Sequence, residues 1–462
     1  MYILPSLPFE LLALILQACV DTETETPASF FHDTTKAPCL LTQVCRKWRL
    51  ATYQIPRFWT LVRVSVDALA TSEERTATSA AFLADYLERS QPLPISVSIF
   101  SEDIFPDSIL RPLLATAMRW QDLFLFVHPD DLARLTPIRG RLPQLQSLKI
   151  TPTLLGTPNL APPTMFDLAP TLTSVTLGGF ALELRFVLPW AQLRAFEANY
   201  TASADILPLV QLMPALERLK LGREPPAPPN ARAWQVTHTA VRSLTLNAVE
   251  DRDEPALHGD DMADCLTLPA LVELEVECPS EARLERAREM IARSGCELQA
   301  LTLVITFPCA ANLTQLFRLT PALRELTIFD GATMTNDHLL DALVVCPENA
   351  GRQMLPKLEN ITLLASRPLE EKDVQRWLSA FESRVHPRKD FGEPLDEQDP
   401  PEGRVSEGES EQSSNSISAL RSILMGCTSG EQIIDNELSL RRFHRIMHAG
   451  VKVDLWHGPD LF

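Results

Sequence analysis

Met213 to Leu221 reads MPALERLKL, and its spacing decides the fold. In a β-strand successive side chains point to opposite faces, so Leu219 and Leu221 share one side while Arg218 and Lys220 share the other. The strand is short and Pro214 breaks the chain just ahead of it. One strand of this size cannot bury its own apolar side, but the pattern Lxx[LIV]x[LIV] recurs. It appears as WQDLFL at Trp120, LQSLKI at Leu145, LTSVTL at Leu172, LRAFEA at Leu193, VRSLTL at Val241 and LVELEV at Leu271. It continues as LQALTL at Leu298, LRELTI at Leu323 and LENITL at Leu358, with starts 21 to 35 residues apart. Ile95, Val97 and Ile99 add one more strand upstream.

A period of this length signals a solenoid, in which stacked units bury together what none buries alone. The expected fold class is an α/β solenoid: a short strand, then a helix or loop returning the chain, in a right-handed array with a parallel sheet. The motif resembles the leucine-rich repeat, in irregular form. The asparagine usual three residues after the strand is replaced, with Thr153 and Glu224 in that slot. A ragged convex side and uneven curvature are expected.

Composition narrows the function classes. The 462 residues are 45% hydrophobic and 22% charged, ordinary for a globular protein able to build a sizeable core. A formal net charge of −18 repels a phosphate backbone and an anionic membrane surface, so neither nucleic acid nor membrane is the expected partner. Nine cysteines, scattered singly and without a CxxC pair, read as reduced, intracellular usage, cytoplasmic or nuclear.

Towards the N-terminus, LPFELLALILQAC (Leu7 to Cys19) is nearly all apolar. It lacks the basic start of a signal peptide and is too short to span a bilayer. Pro8 and Glu10 fit the first turn of a helix. The apolar residues then cover more than one face, which implies burial on several sides. A Thr-rich acidic loop over 21–37 leads to a second helix within CLLTQVCRKWRLATYQIP (Cys39 to Pro56), and RFWTLVRVSV follows with a strand-like tail.

In that order, LPxELL…IL…C, LLxQVCRKWRxxA and PRFWxxLxV resemble an F-box, over residues 1–65. The resemblance implies docking on the adaptor Skp1 and, through it, on a cullin within an SCF-type ubiquitin ligase. The residues it points to are Leu7, Pro8, Leu11, Leu12, Ile15, Leu16, Leu41, Val44, Cys45, Trp48 and Trp59. A plain N-terminal cap of the solenoid is the competing reading.

The solenoid is expected over 66–385. Residues 386–416 are rich in Glu, Pro, Gly and Ser with few large apolar residues, and read as a disordered acidic loop. Ser406, Ser410, Ser413 and Ser414 stand among glutamates there and are candidate phosphorylation sites. Over 417–462, Leu440, Phe443 and Met447 share a helical face, and Val451, Val453 and Leu455 alternate, so a helix–strand unit is expected to close the array.

Motifs that carry chemistry are scarce. There is no phosphate-binding glycine loop, HExxH or GxSxG. His444 and His448 share a helix face but have only His457 as a third ligand, and EDRDE (Glu250 to Glu254) lacks the turn glycine of a calcium loop. No metal, cofactor or catalytic residue is expected. The sheet's outward residues offer the clearer surface, as a place for an unknown protein target: Phe124, Phe126, Lys149, Arg218, Lys220, Glu273, Glu275, Glu325 and Phe329. The expected role is that of a non-catalytic substrate receptor. A scaffold outside any ligase, or a hydrolase built on repeats, are the alternatives.

Overall fold

The computed structural model describes residues 8–24, 33–65, 73–101, 104–153, 162–179, 185–199, 203–222, 235–247, 262–305, 311–330, 340, 343–344, 354–365, 371–385, 420–427 and 437–457. The chain divides into two compact units, Met1–Pro225 and Pro226–Phe462. The expected acidic loop at 386–416 lies outside the described residues, as do Leu7 and the slot residue Glu224.

The first unit opens with helices α1 (Phe9–Thr24), α2 (Leu41–Val44) and α3 (Arg46–Tyr53). Seven parallel strands follow in sequence order: β1 (Leu61–Ser65), β2 (Ile95–Phe100), β3 (Trp120–Val127), β4 (Ser147–Pro152), β5 (Ser174–Leu177), β6 (Ala195–Asn199) and β7 (Arg218–Gly222). Helices α4 (Glu73–Arg89), α5 (Asp107–Ala115), α6 (Pro129–Arg134) and α7 (Ser203–Gln211) return the chain between some of them. The strand-like tail of the N-terminal module is thus the first strand of the sheet.

Register explains why the repeat closes its core. Val62, Val97, Leu123, Leu148, Val175, Phe196 and Leu219 align across neighbouring strands, and two residues on Val64, Ile99, Leu125, Ile150, Leu177, Ala198 and Leu221 do the same. All fourteen are buried. Each apolar side chain therefore rests on the equivalent one of the next strand, so burial accrues only as units stack.

The second unit repeats the scheme with β9 (Ser243–Leu246), β11 (Glu273–Cys278), β12 (Ala300–Ile305), β13 (Glu325–Asp330), β14 (Asn360–Ala365), β15 (Ser422–Cys427) and β16 (Lys452–His457), all parallel. A separate two-stranded parallel pair joins β8 (Val236–Thr237) and β10 (Leu266–Thr267). Helices α8 (Met262–Cys265), α9 (Glu281–Ser294), α10 (Ala311–Leu319), α11 (Glu371–Val385) and α12 (Glu437–His448) complete it. α9 packs on α10, and α11 on α12. Each long helix buries one stripe, such as Leu284, Ala287 and Ile291 of α9, and Gly295 ends α9 in the left-handed conformation.

All ten repeat motifs carry a strand, and so do the Ile95–Ile99 and Val451–Leu455 segments. β15 is an addition: the closing region holds two strands where the sequence suggested one. Its own motif is LRSILM at Leu420, with Leu420, Ile423 and Met425 buried. The N-terminal ends of β13, β14 and β15 also carry a charge ladder: Glu359 lies 3.6 Å from Arg324 and 3.2 Å from Arg421.

Candidate docking surfaces

Among the described residues, exposed large apolar side chains concentrate on the N-terminal helical region. α1 has two apolar stripes. Leu12, Leu16 and Val20, at i, i+4 and i+8, are buried. Leu11, Leu14 and Ile15 stand outward at 48%, 63% and 41% exposure, and with Ala18 they keep the i, i+3, i+4, i+7 spacing of a second face. Phe9 is exposed as well, and Val44, Leu40, Leu50 and Tyr53 add apolar surface from the α2–α3 region.

The docking residues suggested by sequence therefore separate into two groups. Pro8, Leu11, Ile15, Val44 and Cys45 are exposed and Trp48 is half-buried. Leu12, Leu16, Leu41 and Trp59 are buried within the protein, and this corrects their assignment to a partner surface. Core packing already takes up their apolar area. Trp59 shows the reason most fully. Its indole Nε1 donates to the Thr52 carbonyl at 3.0 Å and its ring meets Tyr86 edge-on at 5.0 Å. The Arg89 guanidinium lies 4.8 Å from the Trp59 ring and 4.3 Å from that of Tyr53. Tyr86 in turn donates its hydroxyl to the Leu61 carbonyl at 3.1 Å. Trp59 thus fastens the helical module to α4 and β1, a core duty that rules out a surface one. Phe9, Leu14, Leu40, Leu50 and Tyr53 are the apolar surface residues that sequence reasoning left out. Of these, only Leu14 lies on the i, i+3, i+4, i+7 run through Leu11, which places it on one face with Leu11 and Ile15.

The second surface is the outward face of the strands. In the first unit, the row Arg63, Ser98, Phe124, Lys149, Thr176, Glu197 and Lys220 crosses β1 to β7, flanked by Asp122 and Arg218 on one side and Phe100 and Phe126 on the other. Lys149, Arg218 and Lys220 are exposed, and Phe124 and Phe126 are half-buried. Phe124 is flanked within the sheet: Phe100 meets it edge-on at 5.1 Å, and the Lys149 ammonium lies 5.2 Å from its ring. Glu197 is well supplied, with Lys220 at 3.7 Å, Asn199 Nδ2 at 3.1 Å and Thr176 Oγ1 at 3.3 Å.

In the second unit, Glu273, Glu275 and Glu325 are exposed and Phe329 is half-buried, as strand alternation requires. Thr245 donates to Glu275 at 3.3 Å, and Asn360 to Glu325 at 3.1 Å. These contacts tie the carboxylates to neighbouring strands without neutralising them.

Chemistry-bearing clusters are few. His444 and His448 are exposed on α12. Among the described residues, no group of three or more His, Cys, Asp and Glu is placed to hold a metal ion, and no helix is long and apolar enough to cross a membrane. Burial pushes the Cys39 thiol up to about 11, so this cysteine is a core residue and a poor nucleophile at neutral pH. Cys45 is exposed. No protein-family model matches the chain, and a search of curated proteins finds no match either.

Proposed function

We propose that the chain is a non-catalytic substrate receptor that docks on a Skp1-like adaptor through its N-terminal helices and offers its repeat strands to a protein target. The observation that carries this reading is the second apolar stripe of α1, Leu11, Leu14, Ile15 and Ala18, left outward after Leu12, Leu16 and Val20 have formed the core. Paired apolar residues at helical spacing on a surface are the kind of patch a partner covers. A cap needs one apolar face, toward the repeats; it gives no reason for the other.

In this reading the chain contributes proximity alone, holding a target beside a ligase whose other subunits do the chemistry. Cullin recruitment distinguishes a ligase receptor from a scaffold that binds the adaptor only.

The test is a pull-down of the full chain with purified Skp1, followed by co-purification of the cullin from cells. Leu11→Asp with Ile15→Asp is expected to abolish Skp1 binding while leaving thermal unfolding in place. Retained binding in that variant, or none in the wild type, would overturn the proposal. Adaptor without cullin would favour the scaffold.

A further inference from the structure

The outward sheet face of the first unit is not charge-balanced. Among its described strand residues, Arg63, Lys149, Arg218 and Lys220 face Asp122 and Glu197, four cations against two carboxylates, on a chain whose formal charge is −18. Glu197 is engaged by Lys220, Asn199 and Thr176, and Asp122 accepts from Ser96 Oγ at 2.6 Å. Lys149 and Arg218 have no carboxylate partner among the described residues; the two strands between them carry Ser174 and Ala195 in the row of Arg218, and Thr176 and the already engaged Glu197 in the row of Lys149.

We infer that this face binds an extended acidic peptide segment of a target protein that carries one aromatic or large aliphatic residue; this rests on the reading of the repeats as a target surface. The apolar residue of the segment packs on Phe124 and Phe126, the half-buried rings beside Lys149. Its carboxylates meet Lys149 at that end and Arg218 and Lys220 at the other. Phe124 and Lys220 occupy one row four strands apart, roughly 19 Å at the usual strand spacing, a span of about six residues of extended chain. Ordinary carboxylates fit better than phosphate. Lys220 shares its charge with Glu197, and a dianion placed there would meet that carboxylate at close range.

The experiment is selection of a random twelve-residue peptide library displayed on phage against the intact chain, with the enriched peptides re-measured by fluorescence anisotropy. Enriched sequences are expected to combine one aromatic or large aliphatic residue with carboxylates beside it and about six residues away. Lys149→Glu with Arg218→Glu should weaken binding at least tenfold, and Phe124→Ser should do likewise. Glu273→Lys with Glu275→Lys, in the other unit, should change it less than twofold. Should charge reversal alter thermal unfolding, Lys149→Gln with Arg218→Gln is measured instead, with a several-fold loss expected. No enrichment, enrichment of peptides without carboxylates, or equal binding by the reversed variant would each overturn the inference, as would much tighter binding of the enriched peptides when resynthesised with phosphoserine in place of each carboxylate. Skp1 binding is measured on the same preparations. Adaptor binding without acidic-peptide selection removes this inference alone, whereas acidic-peptide selection without adaptor binding removes the ligase reading and leaves the face assigned.

Discussion

Arg384 is the most confined charge among the described residues. It is 1% exposed, and its guanidinium donates to three backbone carbonyls, Leu343 at 2.6 Å and Leu355 and Met354 at 3.0 Å each. Burial pushes it down to about 10. The charged form is therefore disfavoured on folding, a cost present in full below about pH 10 and relieved as pH rises above it. The three carbonyls offset that cost, and one of them belongs to Leu355, whose φ of +52° is the left-handed region that β-carbon residues avoid. Arg384→Met keeps most of the volume but orphans the carbonyls, at about 1–3 kcal/mol apiece, so a loss on the order of 3 kcal/mol or more is expected in urea unfolding. None of this was legible in FESRV, because the partners lie 29 to 41 residues away in sequence.

Cys39 gives a second test at the same scale. Desolvation raises its thiol from 9.0 to about 11, with Arg89 opposing and Asp33 adding to the shift. Desolvation also raises the neighbouring Tyr86 phenol. A raised acid folds best when neutral, so its contribution is intact below pH 9 and is lost as pH climbs through 11. The urea midpoint should hold between pH 7 and 9 and fall between 9 and 11, with less of a fall in Cys39→Ala. Iodoacetamide at neutral pH should label Cys45 readily and leave Cys39, Cys265, Cys278 and Cys296 unmodified until the chain is unfolded, read by peptide mass spectrometry.

Among the elements, strands were easier to read than helices. Strand alternation has a period of two, so Lxx[LIV]x[LIV] fixes both existence and facing, and the outward assignments of Lys149, Arg218, Glu273 and Glu325 follow directly. β15 was missed because its motif follows a long acidic stretch, where the repeat spacing no longer points to it. α1 posed the opposite difficulty. Ten of its sixteen side chains are apolar, in two stripes at helical spacing, and spacing alone does not say which stripe turns inward. The structure assigns Leu12 and Leu16 to the core and Leu11 and Leu14 to the surface, which reorders the docking residues. Leu12→Asp is expected to destabilise by several kcal/mol, since it buries an unpaired charge. Leu14→Asp should stay within about 0.5 kcal/mol. Thermal melts of the two variants measure the contrast directly.

For the molecule as a whole, stacking sets how stability is shared. In a repeat array each unit touches mainly its neighbours, so free energy divides into local terms and interfaces between adjacent repeats. The second unit makes this concrete. Leu303 of β12 lies between Leu246-aligned Val276 on β11 and Ile328 on β13, and all are buried. Removing its side chain as Leu303→Ala leaves a cavity shared by both neighbours, at about 2–5 kcal/mol. If that energy is local, amide protection should fall most in β11, β12 and β13 and less in β9 and β15, which do not pair with any of the three's central member. If the unit instead unfolds as one body, protection should fall equally across all seven strands. Hydrogen exchange read by mass spectrometry, peptide by peptide, separates these outcomes. A graded fall is expected, because β12 pairs with β11 on one side and β13 on the other, and the more distant strands feel the cavity through these two.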